Sequence, residues 1–421
     1  MTQVSETVFI ETAPQPPSDG LRILLLTPSL PYPPIWGFGI RVYQLIRELS
    51  RRHRVTLLTY GNENDPTERE NAAVMRGVCT EVCLVPLSLP PGGKRRMQAL
   101  SLVSARSFQT ASLLSPAMQT TLNRLLGENR FDIIQAESSQ IAGFDFGRDV
   151  PLILDEHNLE YELLYRLYLG ERSLGRRLYN WAEYQKFHRE ETECWRRADG
   201  CLLTSAREHT EVKRLLPDKP AMVIPNGVDI EFYQPTPTPP QPDSLVFTGL
   251  MTYRPNIDGV VYFIEEILPL IHKVRPNVTL SVVGAGSSPE VDRLAGPSVT
   301  LTGTVPDTRT YLAAAATAIV PLRMGSGTRL KVLEGLAMGK PMVSTSVGCE
   351  GIHVKNGEHL LIADDPQPFA EAVLRTLSEP PLAAALRSSG RRLVEDEYGW
   401  VAITARLVAF YASVLADAKA H

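Results

Sequence analysis

Short apolar runs recur along the chain, and most of them end in turn residues. The first, Leu21 to Pro28 ("LRILLLTP"), has the unbroken hydrophobicity of a strand buried on both faces of a parallel sheet. A loop follows, "SLPYPPIWGFGIR". In "IRVYQLIRELSRR", Val42, Leu45, Ile46 and Leu49 then repeat at helical spacing. "VTLLTY" is the next predicted strand and completes a βαβ unit. Further strands are predicted at "EVCLVPL", "DIIQAE", "PLILDEH", "GCLLTS" and "AMVIP", with a mostly helical stretch from Glu160 to Ala198.

The pattern breaks at Phe232 to Ser244, "FYQPTPTPPQPDS", where the prolines favour an extended, semi-rigid linker. It then restarts. Strands are predicted at "LVFTGL", "VTLSVVGAG", "VTLTGTV", "AIVPLR" and "PMVSTSV", and helices at "IDGVVYFIEEILPLIHKV" and "RTYLAAAAT". Such alternation requires parallel sheets with helices on both faces. The expected fold class is therefore α/β, with two Rossmann-like domains in tandem facing across a cleft. The expected divisions are a disordered lead over 1–20, a first domain over 21–205, a connecting strand and linker over 206–243, and a second domain over 244–396. A terminal helix over 397–421 is expected to return to the first domain.

Composition narrows the picture only slightly. A chain of 421 residues is too long for one ordinary core. The formal net charge of -4 supplies no global basic field, so no nucleic-acid partner is expected. Five scattered cysteines do not form a disulfide framework, and "CTEVC" has no matching Cys/His pair for zinc. The first 20 residues lack the basic start and apolar core of a secretory signal, and no apolar run reaches the ~18 residues of a membrane span. A cytoplasmic protein is expected.

Ligands of parallel sheets bind at the C-terminal ends of the strands. One such loop, "GSGTRLKVLEGLAMGKP", runs from Gly325 to Pro341. Glycines at a helix start let backbone N–H groups converge on an anion. Arg329 and Lys331 fall in the first helical turn, where each costs about 0.3–1 kcal/mol against the helix dipole unless an anion such as a diphosphate lies beside them. A plain turn with solvated cations fits the same residues equally well. Helical spacing puts Leu330, Leu333 and Ala337 on the buried face. Glu334 lies off that face, either free in solvent or within reach of a sugar hydroxyl. "GFG" (Gly37 to Gly39) is a weaker version of the same device.

Several motifs stand in one order: "PNGVD", "FTGLMTYRPNIDGVVYFIEEILP", "VVGAG", "GTVPD" and "LEGLAMGKPMVST". On these the chain resembles the retaining nucleotide-sugar glycosyltransferases of the B fold (GT-B), the group that includes glycogen synthase and sucrose synthase. It is most similar to bacterial sugar transferases of surface-polysaccharide pathways. The resemblance implies transfer of a sugar from a nucleoside diphosphate to an acceptor hydroxyl, with an acceptor-side first domain and a donor-binding second domain. It implies no cofactor beyond the donor substrate, and no metal. Glu334 then holds the donor ribose. Gly325, Gly327, Thr328, Arg329 and Leu330 lie against the diphosphate and sugar, and Val305 and Pro306 flank the base. Gly249, Asn256, Gly284 and Gly286 lie close to the nucleotide, Gly37 and Gly39 face the diphosphate, and Arg254, Arg329 and Lys331 supply positive charge. His157 falls where related enzymes place a histidine near the transferred sugar, although a purely structural histidine fits as well. Ser326 stands where the group has a first glutamate, and Leu250 where it usually has arginine.

The partners implied are a nucleotide sugar and a glycan, lipid-linked or small-molecule acceptor. Pro91 to Phe108 and Glu171 to Glu190 interleave basic and apolar residues and are candidates for peripheral contact with an anionic inner membrane face. A solvated face is the competing reading. Two other functions share this architecture, a nucleotide-sugar 2-epimerase and a non-catalytic nucleotide-sugar binder.

Overall fold

Each of the apolar runs named above forms a strand in the computed structural model, which describes residues 20–87, 93–237, 239–325 and 328–420. The predicted lead before Gly20, and Ser326 and Gly327, lie outside the described residues. The first sheet comprises β1 (Arg22–Thr27), β2 (Arg54–Tyr60), β3 (Glu81–Val85), β4 (Ile133–Glu137), β5 (Leu152–Glu156), β6 (Gly200–Leu203) and β7 (Ala221–Val223). All are parallel, in the order β3-β2-β1-β4-β5-β6-β7. The second sheet comprises β8 (Ser244–Thr248), β9 (Thr279–Val283), β10 (Val299–Gly303), β11 (Thr317–Val320), β12 (Met342–Ser344) and β13 (Leu361–Ile362). These too are parallel, in the order β10-β9-β8-β11-β12-β13. The two-residue β13 had no periodicity to announce it. Each order reverses once, between β1 and β4 and between β8 and β11, and such reversals are where doubly wound sheets bind ligands.

The helices of the two units include α1 (Gly37–Ser50), α2 (Glu160–Gly170), α3 (Leu174–Arg197), α4 (Arg254–Tyr262), α5 (Leu330–Ala337) and α6 (Pro380–Leu393). α1 buries Val42, Leu45, Ile46 and Leu49, as its spacing predicts. It also buries Arg41, which forks onto Asp155 at the end of β5 with N···O distances of 2.9 to 3.2 Å. The helix predicted across 257–274 opens into a wider turn at Phe263–Ile267, because Pro269 has no N–H to offer the helical ladder. On α5 the structure buries Leu333 and Ala337, with Val332 and Leu336, whereas Leu330 is only half-buried.

Contacts divide the chain into two compact units. One holds the residues up to Ile224 together with those from Thr404 onward, and the other holds Pro225–Ile403. The terminal helix α7 spans Trp400–Ala420, and its part from Thr404 onward, in the first unit, sets Phe410 against Gly200, where an added Cβ would come within 2.7 Å of the ring. Its Tyr411 hydroxyl donates to Gln135 on β4. By length and composition Trp400–Ala418 is apolar enough to cross a membrane, with a mean hydropathy of 1.5. Its Leu407, Tyr411 and Val414 are nevertheless buried in the protein.

The Arg41–Asp155 pair is fully enclosed, with neither side chain more than 1% exposed. Removing one partner of such a pair leaves an uncompensated buried charge. Asp155→Leu is therefore expected to lower the unfolding free energy of the first unit by about 3–5 kcal/mol in urea denaturation. The Arg41→Met/Asp155→Leu double variant should recover most of the loss.

Candidate functional site

The reversal between β8 and β11 gathers most of the predicted donor residues, and two glycines make that possible. Gly284, just past β9, has φ +151°, and a Cβ there would fall 1.9 Å from the carbonyl oxygen of Gly249, just past β8. The two strand ends thus meet backbone to backbone. A Cβ on Gly249 would in turn lie 2.6 Å from the Asn256 amide nitrogen and 2.8 Å from the Lys331 ammonium. Gly286, at φ +85°, packs against Thr252 in the same way. β8, β9, α4 and α5 therefore converge on one point.

Lys331, the second residue of α5, is half-buried there. Its ammonium donates to Asn256 Oδ1 at 2.8 Å and lies 4.0 Å from the centre of the Phe247 ring. The Asn256 amide is held in turn by donation to the Leu250 carbonyl at 2.9 Å. Burial pushes the Lys331 pKa down to about 7, with Arg329 adding to the fall and Glu334 opposing it. Glu334, one turn later, is pushed up by burial, while a hydrogen bond with the Tyr233 hydroxyl and the charge of Lys331 hold it down. Arg329 is only 6% exposed. It donates from Nε to the Val347 carbonyl at 3.3 Å, and a Cβ on Gly325 would lie 3.1 Å from its guanidinium. Desolvation lowers its pKa too, opposed by Glu350 at 3.8 Å. Thr328 accepts from the Asn226 amide at 3.2 Å. The Gly303 carbonyl accepts the Gly284 N–H at 3.3 Å, which brings the loop of half-buried Val305 and exposed Pro306 to the same edge of the sheet. Arg254 stands outside this cluster, with its exposed guanidinium on Glu290 at 2.7 and 2.9 Å.

A second cluster lies in the first unit. Gly37 and Gly39 open α1, and Gly39 passes close to the Pro31 carbonyl. The Phe38 ring between them lies 5.1 Å from the ring of His157, which follows β5. His157 Nε2 is 2.8 Å from Glu137 Oε2, and Gln135 donates to the other Glu137 oxygen at 2.6 Å. Burial, then Asp155, raises the Glu137 pKa, while His157 opposes the rise. Ligand atoms of Glu137, Asp155 and His157 lie within 4.8 Å of one another, a spacing a metal ion would accept. Arg41 already bonds both Asp155 oxygens, so a cation would have to displace it.

Sequence reasoning missed Tyr233, Asn226 and Phe247 in one cluster, and Arg41, Glu137 and Asp155 in the other. The two acids carried a signal: each stands near the end of an otherwise apolar strand, in "DIIQAE" and "PLILDEH".

Fold and strand-end clusters together define a doubly wound, two-unit α/β enzyme of the GT-B class. Two family models match, "Glycosyl transferases group 1" over residues 242–379 and "Glycosyltransferase Family 4" over residues 36–232. The chain is a glycosyltransferase of the GT-B fold. It is 21% identical to an uncharacterized 44.6 kDa protein in the cps region of Klebsiella pneumoniae, over 84% of this chain and 90% of that protein. Among solved structures it is similar to sucrose-phosphate synthase from Thermosynechococcus elongatus, with TM-score 0.65, 18% identity and coverage of 94% of this chain and 100% of that one. It is also similar to Anabaena HepE in complex with UDP-glucose, with TM-score 0.61, 15% identity and coverage of 93% and 100%.

The lowered pKa of Lys331 has a consequence for stability. Between about pH 7 and 10 the unfolded chain keeps a proton on this lysine that the folded chain has released, so the group adds stability as pH rises through that window. Urea denaturation of the second unit from pH 6.5 to 10 should show wild type gaining relative to Lys331→Met. A difference that stays flat with pH would contradict the burial of this ammonium.

Proposed function

We propose that the protein transfers a sugar from a nucleoside diphosphate to an acceptor hydroxyl with retention at the anomeric carbon, and does so in the cytoplasm. The observation that carries this reading is the pair of cations at the start of α5, Arg329 and Lys331, with Glu334 one turn further on. As the bond from the anomeric carbon to the leaving phosphate oxygen breaks, negative charge grows on the diphosphate. Positive charge in a poorly hydrated site stabilises that growing charge more than water does, and the diphosphate itself favours the protonated form of Lys331. The acceptor oxygen bonds to the anomeric carbon, and its proton passes to the departing phosphate. Glu334, held by Tyr233, is assigned the ribose hydroxyls, and His157, held by Glu137, the transferred sugar. Because HepE was solved with UDP-glucose, uridine nucleotides are the first probes.

The acceptor is proposed to be lipid-linked. Leu100, Leu102 and Val103 are exposed on the helix Gly93–Val103, Leu167 and Leu169 on α2, and Leu174, Leu178 and Trp181 on α3. Exposed Lys94, Arg96, Arg172, Arg176 and Arg177 accompany them. Gln98 and Leu102 share a cavity of about 420 Å³ with Arg176 and Tyr179, so the first and last of these helices adjoin. Apolar side chains among cations fit the headgroup region of an anionic bilayer.

Two measurements test these readings. Calorimetric titration with a panel of nucleoside diphosphates should find a ligand whose affinity falls at least about tenfold in Glu334→Ala, and Ser326→Ala should reduce turnover more than affinity. An unchanged affinity in the Glu334 variant removes the ribose role. Separately, the protein should co-sediment with phosphatidylglycerol vesicles, less so in high salt and less so as Leu102→Ser/Val103→Ser. Indifference to both changes removes the membrane reading.

A further inference from the structure

We propose that a basic cavity at the other end of the second sheet is a binding site for a small phosphate monoester, distinct from the donor cluster. The cavity has a volume of about 520 Å³, and its lining includes Pro235, Gly339, Lys340, Arg387, Arg391 and Arg392. Its place in the fold follows from Lys340. That residue stands two positions before β12, and its ammonium donates to the carbonyls of Ala313 and Ala315, just ahead of β11. The cavity is thus at the N-terminal edge of the strands, whereas Gly249, Gly284 and Lys331 stand at or beyond the C-terminal edge.

The charges of this cavity do not cancel. Arg391 bonds the carbonyls of Ile230, Tyr233 and Ala337 and pairs with Glu395 at 2.6 Å, which engages four of its five N–H donors and the carboxylate that lines the cavity. Lys340, Arg387 and Arg392 remain. Among the described residues no carboxylate lies within ion-pair distance of any of them, and Arg387 Nε is buried with no hydrogen-bond partner. Lys340 is 6% exposed, and its pKa is pushed down to about 8 by burial and then by Arg387. Like charges crowded into a concavity are destabilising unless an anion joins them. Guanidinium groups match a phosphate's geometry in particular. The volume falls in the range of about 300–1,000 Å³ common for small-molecule sites, so it suits a phosphate carried on a sugar-sized body.

Two elements link this cavity to the donor cluster. α5 carries Lys331 of that cluster in its first turn and ends where Met338, Gly339 and Lys340 line the cavity, about 12 Å away along the helix. Tyr233 touches both, with its hydroxyl bonded to Glu334 and its carbonyl to Arg391. An occupant of the cavity therefore changes donor affinity, and by linkage the donor changes the occupant's affinity equally. This second step rests on the proposed role of Glu334, whereas the binding site itself does not.

Hydrogen exchange and calorimetry on the full chain test the proposal, with inorganic phosphate, a hexose 6-phosphate and a nucleoside diphosphate as separate probes. The hexose phosphate should slow exchange over 338–340 and 384–395, and the nucleoside diphosphate over 325–334. Arg387→Gln/Arg392→Gln should weaken hexose phosphate binding at least about tenfold while leaving nucleoside diphosphate affinity unchanged. Arg392→Glu, at an exposed position, should weaken it too without touching a buried atom. Equal affinity in these variants, protection confined to 325–334, or no binding at about 10 mM would each overturn the site. If the site binds but nucleoside diphosphate affinity is the same with and without hexose phosphate, the coupling is overturned and the site stands. Absence of any nucleoside diphosphate effect at 325–334 would instead reject the donor reading alone.

Discussion

Lys331 rests its ammonium on an amide oxygen and an aromatic face rather than on a carboxylate, and the second unit is arranged around that choice. A salt bridge would have held the side chain as well, but it would have cancelled the positive potential at the strand ends. The Asn256 dipole and the Phe247 ring hold the cation and leave most of its field in place, a ring contact of this kind contributing up to about 2 kcal/mol when desolvated. The arrangement depends on missing side chains. Gly249 has no Cβ to collide with the ammonium, and Gly284 has none to keep β8 and β9 apart.

The first unit treats buried charge in the opposite way. Arg41 and Asp155 neutralise each other out of contact with water, and Glu137 is shared between His157 and a chain of amide and hydroxyl groups that ends on Tyr411 of α7. Such a network adds little net stability over an apolar core, yet it penalises any packing that separates its members. It fixes α1, β4, β5 and the terminal helix in one relation. The contrast fits a division of labour in which one unit keeps a site rigid and the other keeps a charge uncompensated.

The sheets were legible in the sequence because a strand covered on both faces reads as an unbroken apolar run, and every such run named at the outset became one. β13 escaped because two residues carry no pattern, and the wide turn at Phe263 because a proline's effect on a helix depends on what lies around it. In the donor cluster, the glycines and the two cations were legible from their position after a strand. Their partners were not. Tyr233 sits in a proline-rich segment whose composition signals only an extended chain, yet it supplies the hydrogen bond to Glu334. Arg254 looked equivalent to Arg329 as a cation near a strand end, and only the fold shows that Glu290 engages it.

Magnitudes decide what places Arg329 and Lys331 at the wrong end of α5. The dipole of an eight-residue helix opposes each by about 0.3–1 kcal/mol, and less where water screens it. Desolvation is the larger opposing effect, since it is the first cause of the fall in both pKa values. Neither effect is offset by the helix itself. What holds the two cations is the core around them: the apolar face of Val332, Leu333 and Leu336 sets the register of α5, and that register carries Lys331 to Asn256 and leaves Arg329 beside the Val347 carbonyl. A change to that apolar face would therefore move the site's charges without altering one polar residue.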